Sequence, residues 1–242
     1  MGQLKGVGVA LITPFHEDLS IDFESLTRLI DYNIDNGTNF LVVMGTTAEA
    51  ATLSKEEKEK VIAHITKINN NRLPLVLGIG GNNTAEVVSQ IKETDLSDFE
   101  AVLSVSPYYN KPNQEGLYQH YKALAETGEK IIIYNVPGRT GQNVEASTTL
   151  RLANEFPNLF MIKEAAPNML QYFDILRQKP EHFSLMSGDD EYTLPVTLAG
   201  GDGVISVIGQ AYPKEFSTMV ELARKREVDE AYKIHNSLVE IT

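Results

Sequence analysis

One lysine has a setting that points directly to chemistry. Lys163 follows the apolar run Leu159–Ile162, which is typical of a buried strand. An amine at the end of such a strand loses hydration, which lowers its pKa and favours the neutral form that attacks a ketone carbonyl. The alternatives are a lysine that extends into solvent or one that pairs with Glu164. Position alone favours these alternatives, so the chemical interpretation depends on what surrounds Lys163.

Hydroxyl groups follow other apolar runs of the chain. Thr46 and Thr47 come directly after a glycine, where their hydroxyls and the nearby backbone N–H groups suit a carboxylate. The phenols of Tyr108, Tyr109 and Tyr134 could relay protons, because tyrosine both donates and accepts hydrogen bonds. The competing interpretations are an ordinary polar turn and tyrosines that pack in the core with satisfied hydroxyls.

The charged candidates favour anion binding over metal binding. Arg139 lies in a Pro-Gly-Arg-Thr-Gly turn and could clamp a carboxylate through two parallel hydrogen bonds, unless it is a solvated loop arginine. Asp189 and Asp190 form an acidic pair, but no histidine joins them in a recognised ligand spacing. The chain has no cysteine, and the glycine-rich stretch 78–83 lacks the Gly-Lys-Ser/Thr ending of a phosphate loop. We therefore expect no metal site and interpret 78–83 as a tight turn.

Composition narrows the class of protein. The chain has 242 residues, 42% of them hydrophobic and 22% charged, which is typical of a globular protein with one large domain or two small ones. Its net charge of −12 disfavours nucleic acid and anionic membranes as partners, although a small anionic substrate stays compatible. The sequence shows neither a signal-peptide pattern in residues 1–15 nor an apolar run of membrane-spanning length. We expect a cytoplasmic protein.

Apolar strand-like runs alternate with amphipathic helical segments along the chain. The predicted strands are 6–13, 39–44, 73–77, 100–105, 130–134, 159–163, 183–187 and 203–206. The predicted helices are 22–36, one opened at Ser54 by a capping box to Glu57, 84–93, 114–126, 145–154, 169–177, 192–199, 213–226 and 227–241. Eight such units predict a closed (β/α)8 barrel over 1–226, with 227–242 as the start of a C-terminal helical region. An open doubly wound sheet is the alternative, but no G-x-G-x-x-G follows the first strand.

A barrel of this kind would bring the candidate residues together. Active sites of (β/α)8 barrels lie at the C-terminal ends of the strands. The candidates follow predicted strands two, four, five, six and seven: Thr46 and Thr47, Tyr108 and Tyr109, Tyr134 and Arg139, Lys163, and the run Ser187–Asp190. We therefore expect one site at this end of the barrel.

Four of these strand-end segments together resemble a known family. GTT after strand two, PYYNKP after strand four, YNVPGRTG at strand five and IKEA at strand six occur in the order found in the dihydrodipicolinate synthase/N-acetylneuraminate lyase family. The resemblance extends over essentially the whole chain. It implies that Lys163 forms a Schiff base with pyruvate and that Tyr134 acts as general acid and base. It also implies a proton relay completed by Thr46 and by Tyr109 from a neighbouring subunit.

The resemblance implies substrate contacts and partners as well. Thr47 would hold the pyruvate carboxylate, Arg139 would receive the carboxylate of aspartate 4-semialdehyde, and Gly188 and Ile205 would line the pyruvate pocket. The protonated imine is its own electron sink, so no cofactor is implied. Because the relay tyrosine crosses between subunits, a homodimer or a homotetramer of tight dimers is implied.

Two features favour the synthase branch of the family, which makes 4-hydroxy-tetrahydrodipicolinate for the diaminopimelate and lysine pathway. Neuraminate lyases of the family usually carry Ser-Thr in place of Thr46-Thr47, and sugar-acid aldolases usually lack an arginine matching Arg139. An arginine suits a short charged substrate better than a polyhydroxyl chain. The alternatives are an N-acetylneuraminate lyase, a 2-keto-3-deoxy sugar-acid aldolase, or an inactive barrel that only binds ligands.

The chain departs from the family pattern after strand two, where Ala48 and Ala50 replace a glycine and a serine. In some synthases the serine hydroxyl helps to form an allosteric lysine site at the dimer interface. The other positions that match this site are Lys55, Lys58, Asn82, Glu86 and Tyr108. Because two added cations would repel a cationic ligand, feedback inhibition by lysine is not expected.

The second departure is length. Members of the family usually continue through several helices after the barrel, whereas this sequence stops at Thr242. Those helices pack against the barrel, so we expect their absence to expose apolar surface.

Overall fold

The computed structural model describes residues 4–241 of the chain. The strands β1 to β8 are Gly6–Ala10, Phe40–Val43, Leu75–Gly78, Ala101–Val105, Ile131–Asn135, Leu159–Glu164, Ser184–Ser187 and Gly203–Ser206. The helices α1 to α10 are Phe23–Asp35, Lys55–Asn69, Thr84–Glu93, Gln114–Ala125, Pro137–Thr140, Ala146–Glu155, Met169–Gln178, Thr193–Leu198, Pro213–Lys225 and Val228–Leu238. Short 3-10 turns lie at Thr46–Ala48, Ile208–Gln210 and Val239–Ile241.

The eight strands close into a barrel. Each strand pairs in parallel with the next one along the chain, and β8 pairs in parallel with β1. This topology confirms the predicted (β/α)8 barrel and excludes the open sheet. The division at residue 226 stays a prediction.

Alternate residues of each strand face two different cores. Ile132, Met161 and Met186 belong to a core inside the barrel. Ile133 and Ile162 belong to a second core between the strands and the surrounding helices. Both faces are buried, which is why the strands are continuously apolar in sequence rather than alternating with polar residues. The same alternation decides which side chains at the strand ends can enter the barrel mouth.

Local signals in the sequence explain where several elements begin and end. The Ser54 side chain accepts a hydrogen bond from the Glu57 amide while the Glu57 side chain accepts one from the Ser54 amide, so the predicted capping box is present. The predicted third strand begins too early, because Pro74 has no N–H to give to the ladder.

Two other differences from the predictions affect segments near the candidate site. The first strand ends at Ala10 rather than at residue 13, and the amide of Ile12 donates instead to the Gln210 side chain. The predicted turn at Pro137–Gly141 is the one-turn helix α5, with proline in its first turn and Gly141 closing it at a φ of 72°.

The C-terminal helix packs on the barrel. α10 lies against α9 and α8, while Val228 and Tyr232 leave part of their side chains in solvent. In the described part of the chain, no helix has the length and apolar character needed to cross a membrane.

Candidate active site

Lys163 lies inside the barrel at the C-terminal end of β6, and only 4% of it is exposed. Burial lowers the pKa of its amine to about 8, against an upward effect of the Asp190 and Asp189 carboxylates. Within residues 4–241 the amine makes no salt bridge, and Glu164 lies on the opposite face of the strand. Neither the solvent-exposed lysine nor the pair with Glu164 is therefore seen.

Tyr134 is an aromatic neighbour of this amine. It stands opposite Lys163 in the pairing of β5 with β6, and the lysine Nζ lies 4.5 Å from the centre of its ring. Burial raises the pKa of the phenol, while Arg139 and a hydrogen-bonding interaction with Thr46 lower it. The phenol is therefore protonated near neutral pH and can donate a proton beside the amine.

Thr46 and Thr47 lie on the 3-10 turn that follows β2. A hydrogen bond fixes the turn to the segment after β1, because the Thr13 hydroxyl donates to the Ala48 carbonyl over 2.8 Å. Glycine at 78 allows the neighbouring strand to approach, since a Cβ there would stand 2.2 Å from the Met44 carbonyl oxygen. The hydroxyl of Thr46 is thereby presented to Tyr134, as its effect on the phenol pKa indicates.

Gly188 lies beside the Lys163 side chain, and Ile205 lies in the inner core of the barrel. A Cβ at Gly188 would stand 3.1 Å from Cε of Lys163 and 2.6 Å from Cβ of Ala165. Ile205 is fully buried in the inner core that also contains Tyr134 and Ala165. The glycine therefore keeps space beside the lysine that any side chain would fill.

Arg139 lies on α5 with its guanidinium exposed. Its charge lowers the pKa of both Lys163 and Tyr134, so it acts on the same small volume as these two groups. An exposed guanidinium beside a buried amine and a phenol is suited to receive the carboxylate of a substrate that enters from solvent.

Tyr109 is the predicted site residue that the single chain does not bring to the amine. It is 88% exposed and adopts a φ of 73°, which a tyrosine rarely adopts. Its hydroxyl makes no hydrogen bond with any residue between 4 and 241. Its neighbour Tyr108 is also partly exposed. A role for Tyr109 in the chemistry therefore needs a second copy of the chain.

Comparison with known proteins agrees with this geometry. The model of the dihydrodipicolinate synthetase family matches residues 3–242. The chain belongs to this family. It is 59% identical over 240 residues to the 4-hydroxy-tetrahydrodipicolinate synthase of Flavobacterium psychrophilum, covering 99% of this chain and 82% of that protein.

Solved structures of the family have the same fold. The chloride-inhibited dihydrodipicolinate synthase of Acinetobacter baumannii, complexed with pyruvate, is 40% identical and superposes with a TM-score of 0.94, covering 99% of this chain and 82% of the other. A dihydrodipicolinate synthase variant described as the first monomeric one is 38% identical with a TM-score of 0.92, covering 97% and 79%. The predicted membership of the family is confirmed.

The residues that match the family's allosteric lysine site lie at the same end of the barrel. They come from the first turns of α2 and α3 and from the loops before α2, α3 and α4: Ala50, Lys55, Lys58, Asn82, Glu86 and Tyr108. Lys55 is paired with Glu59 over 4.0 Å, which offsets part of its charge. The loss of lysine inhibition stays a prediction.

From the sequence, the acidic pair after β7 was considered only as a possible metal site, and its effect on the pKa of Lys163 was missed. One oxygen of Asp190 accepts hydrogen bonds from the amides of Val207 and Ile208, at 3.1 and 2.9 Å. Burial raises the pKa of Asp189 to about 6, while Lys163 lowers it. Within residues 4–241 no group of three or more potential ligands has the arrangement of a metal site. The signal in the sequence for the effect of Asp189 and Asp190 on Lys163 was their position directly after Gly188.

Proposed function

We propose that this member of the dihydrodipicolinate synthetase family is a 4-hydroxy-tetrahydrodipicolinate synthase. It condenses pyruvate with L-aspartate 4-semialdehyde through a Schiff base on Lys163. The observation that carries the proposal is the buried amine of Lys163, with a pKa of about 8, beside the Tyr134 phenol. The 59% identity to a protein of that activity supports the choice of reaction.

The first half of the reaction activates pyruvate. The neutral amine of Lys163 attacks the ketone carbon, and the carbinolamine loses water to form an imine. Tyr134 donates the proton that leaves with the hydroxyl group, because its phenol is protonated before the reaction. The imine then loses a methyl proton to the resulting phenolate and becomes an enamine.

The second half makes the carbon–carbon bond and releases the lysine. The enamine carbon attacks the aldehyde of aspartate 4-semialdehyde, and the aldehyde oxygen takes up a proton. The substrate amine then attacks the imine carbon and displaces Lys163, which closes the ring. One water is lost per turnover, and the lysine returns to its starting form. The imine supplies the electron sink, so the scheme uses no metal or organic cofactor.

Substrate contacts are assigned by position. We place the pyruvate carboxylate on Thr47, on the turn after β2, and its methyl end against Gly188, which lies beside the Lys163 side chain, and Ile205, which shares the inner core with Tyr134. The carboxylate of aspartate 4-semialdehyde is placed on Arg139, an exposed cation whose charge acts on both the amine and the phenol.

Proton exchange with solvent is assigned to a relay through Thr46 and Tyr109. Tyr109 would come from a second copy, which is supported by its exposure and its uncommon positive φ. We propose a dimer as the minimal active unit, assembled further into a tetramer, and acting in the cytoplasm, where pyruvate is produced. A sedimentation measurement beside an activity titration tests the first point, because an active monomer would remove Tyr109 from the relay.

The choice of acceptor tests the proposed reaction. The enzyme is given pyruvate with either L-aspartate 4-semialdehyde or N-acetylmannosamine, and loss of pyruvate is followed. We expect kcat/KM to be at least about a hundredfold higher with the semialdehyde, because a charged clamp at Arg139 discriminates against a neutral sugar. Equal or greater turnover with N-acetylmannosamine would assign the chain to the lyase branch instead.

A further inference from the structure

A layer of polar side chains lies behind the active site, between the barrel and its helices. These residues face outward at the C-terminal ends of β4 to β8 and have no exposed surface: Ser104, Asn135, Glu164, Ser187 and Ser206. One pair earlier on the same outward faces of β5 and β6, Ile133 and Ile162 are apolar. Polar groups therefore replace apolar ones only at the end that carries the site.

Glu164 is the centre of this layer. Its Oε1 accepts hydrogen bonds from Nδ2 of Asn135 and from the amide of Ala166, each over 2.8 Å. Its Oε2 accepts one from Nε2 of Gln171, also over 2.8 Å. All three partners are donors, so this arrangement fits a carboxylate that only accepts. Burial raises the pKa of Glu164 to about 7, and these three hydrogen bonds oppose that rise.

The same contacts join three segments that carry candidate site residues. Asn135 and Glu164 directly follow Tyr134 and Lys163, and the two pairs stand in register across β5 and β6. Asn135 also accepts from the Val144 amide over 2.9 Å, in the segment that follows the helix of Arg139. The segment is fixed further by Asn143, which hydrogen-bonds both Asn135 and Gln171.

Stability alone would not favour a carboxylate at this buried position between the barrel and its helices. A buried charge loses its hydration, and an apolar side chain like its neighbour Ile162 would pack there without that cost. Hydrogen bonds are directional, whereas apolar packing is not. The bonds to Glu164 and Asn135 can therefore define the rotation of β6 and β5 about their axes. An error of about 1 Å in the position of a reacting group can cost on the order of a hundredfold in rate.

We propose that Glu164 is a positioning residue that fixes Lys163 and Tyr134 for imine chemistry through Asn135 and Gln171. It touches neither the substrate nor the reacting atoms. The inference rests on the proposed function, since it assumes that Lys163 forms the imine.

Glu164→Gln tests this role with little change in shape. The new amide must place its NH2 against Gln171 or against both Asn135 and the Ala166 amide, so at least one of the three hydrogen bonds is lost. Glu155→Gln is the matched control, because Glu155 lies on α6, accepts from Tyr118 and Arg151, and has no bond to the barrel strands. Active sites are counted by borohydride trapping with pyruvate, and kcat, KM for pyruvate and the melting temperature are then measured for each variant.

We expect kcat per trapped site to fall about tenfold or more in Glu164→Gln, with KM for pyruvate changed less than about threefold, and to stay within about twofold in Glu155→Gln. A merely structural role would lower the number of trapped sites and the melting temperature but leave kcat per site unchanged, which would overturn the inference. If the wild-type protein forms no adduct, the proposed function itself fails and the inference falls with it.

A second variant keeps the test decisive if Glu164→Gln does not fold. The Tyr172 hydroxyl donates to the Glu164 carbonyl over 2.5 Å, and Tyr172→Phe removes this bond together with the interaction of the hydroxyl with Ser187 of the same polar layer. Tyr118→Phe is its control, because that hydroxyl bonds Glu155 instead. We expect kcat per site to fall roughly threefold to tenfold in the first variant and not in the second. Equal kcat in the two would reject a positioning role for this layer.

Discussion

Lys163 and Glu164 are neighbours on β6, and both are buried, yet the protein surrounds them in opposite ways. The inward-facing lysine has no salt bridge within residues 4–241 and touches only the face of Tyr134 among the aromatic rings there. The outward-facing glutamate has every oxygen hydrogen-bonded. On β5 the contrast is one of degree, because Tyr134 has a hydrogen-bonding interaction with Thr46, whereas Asn135 bonds Asn143, the Val144 amide and Glu164.

The end of β6 thus carries both a reactive group, Lys163, and the group that we propose positions it, Glu164. A nucleophile must stay unpartnered, because partners that stabilise its charged form would raise its pKa and lower its reactivity. A positioning group must be fully partnered, because an unsatisfied buried carboxylate would destabilise the fold. Substitutions on the inner face should therefore change rate more than stability, and those on the outer face should change both.

The largest effect is expected on the inner face. Lys163→Arg keeps a cation but cannot form an imine, so kcat should fall by roughly a thousandfold or more. Circular dichroism should show an intact fold, since the barrel core is unchanged. Turnover above about one hundredth of the wild-type value would mean that another group carries the chemistry.

The next effect compares two buried phenols. Tyr134→Phe removes the inner hydroxyl, and kcat should fall about a hundredfold with little change in stability. Tyr121→Phe removes an outer hydroxyl that donates to the Ser104 carbonyl over 3.0 Å, and should lower the free energy of unfolding by about 1 kcal/mol with a smaller loss of turnover. Steady-state kinetics and urea denaturation of both variants check this. A lower kcat for Tyr121→Phe than for Tyr134→Phe would contradict the assignment of catalysis to the inner face.

The pH dependence of imine formation sharpens the account of Lys163. With a pKa of about 8, the neutral fraction of the amine, and with it the trapping rate, should rise about fivefold from pH 7 to pH 8. The rate should level off above pH 9, because the amine is then neutral and the raised pKa of Tyr134 keeps its phenol protonated. Single-turnover trapping with pyruvate measures this. A steady tenfold rise per pH unit up to pH 10 would indicate an ordinary, hydrated lysine.

The smallest effect is on stability and has the opposite sign from the effect on rate. The folded-state pKa of Lys163 lies below the unfolded value of 10.5, so the folded state binds fewer protons between pH 8 and 10.5. The resulting penalty is full below about pH 8 and disappears as the pH rises through the unfolded value. Lys163→Met should therefore stabilise the protein by about 1–3 kcal/mol at pH 7, since loss of the cation beside Asp189 and Asp190 offsets part of the gain.

Urea denaturation of the wild type and Lys163→Met at pH 7 and pH 10 tests that sign. The gain should shrink at pH 10. A methionine variant less stable than the wild type at pH 7 would show that Lys163 is held by favourable contacts rather than exposed to desolvation.

The sequence predicted the barrel because its signals are local and repeated. Apolar runs, the capping box at Ser54 and the count of eight units need no knowledge of tertiary contacts. The helix Pro137–Thr140 was predicted as a turn, since four residues give no periodicity to detect. The strand-end rule also selected Lys163 and Tyr134, which the structure brings together.

The features that the sequence did not predict depend on which way the side chains face. Glu164 was considered only as a partner of Lys163, and its true partners Asn135 and Gln171 are distant in sequence and arise from the register of β5 and β6 and from α7. The exposed Tyr109 shows the other limit, because a residue proposed to act in a second copy leaves no contact within one chain.

Borohydride trapping with pyruvate is the most direct test of imine formation on Lys163. The protein is reduced in the presence of pyruvate, digested, and mapped by mass spectrometry, with Lys163→Arg treated in parallel. We expect one reduced adduct, on the peptide that contains Lys163, and none in the variant. Absence of an adduct in the wild type, or an adduct on a different lysine that persists in the variant, would contradict it.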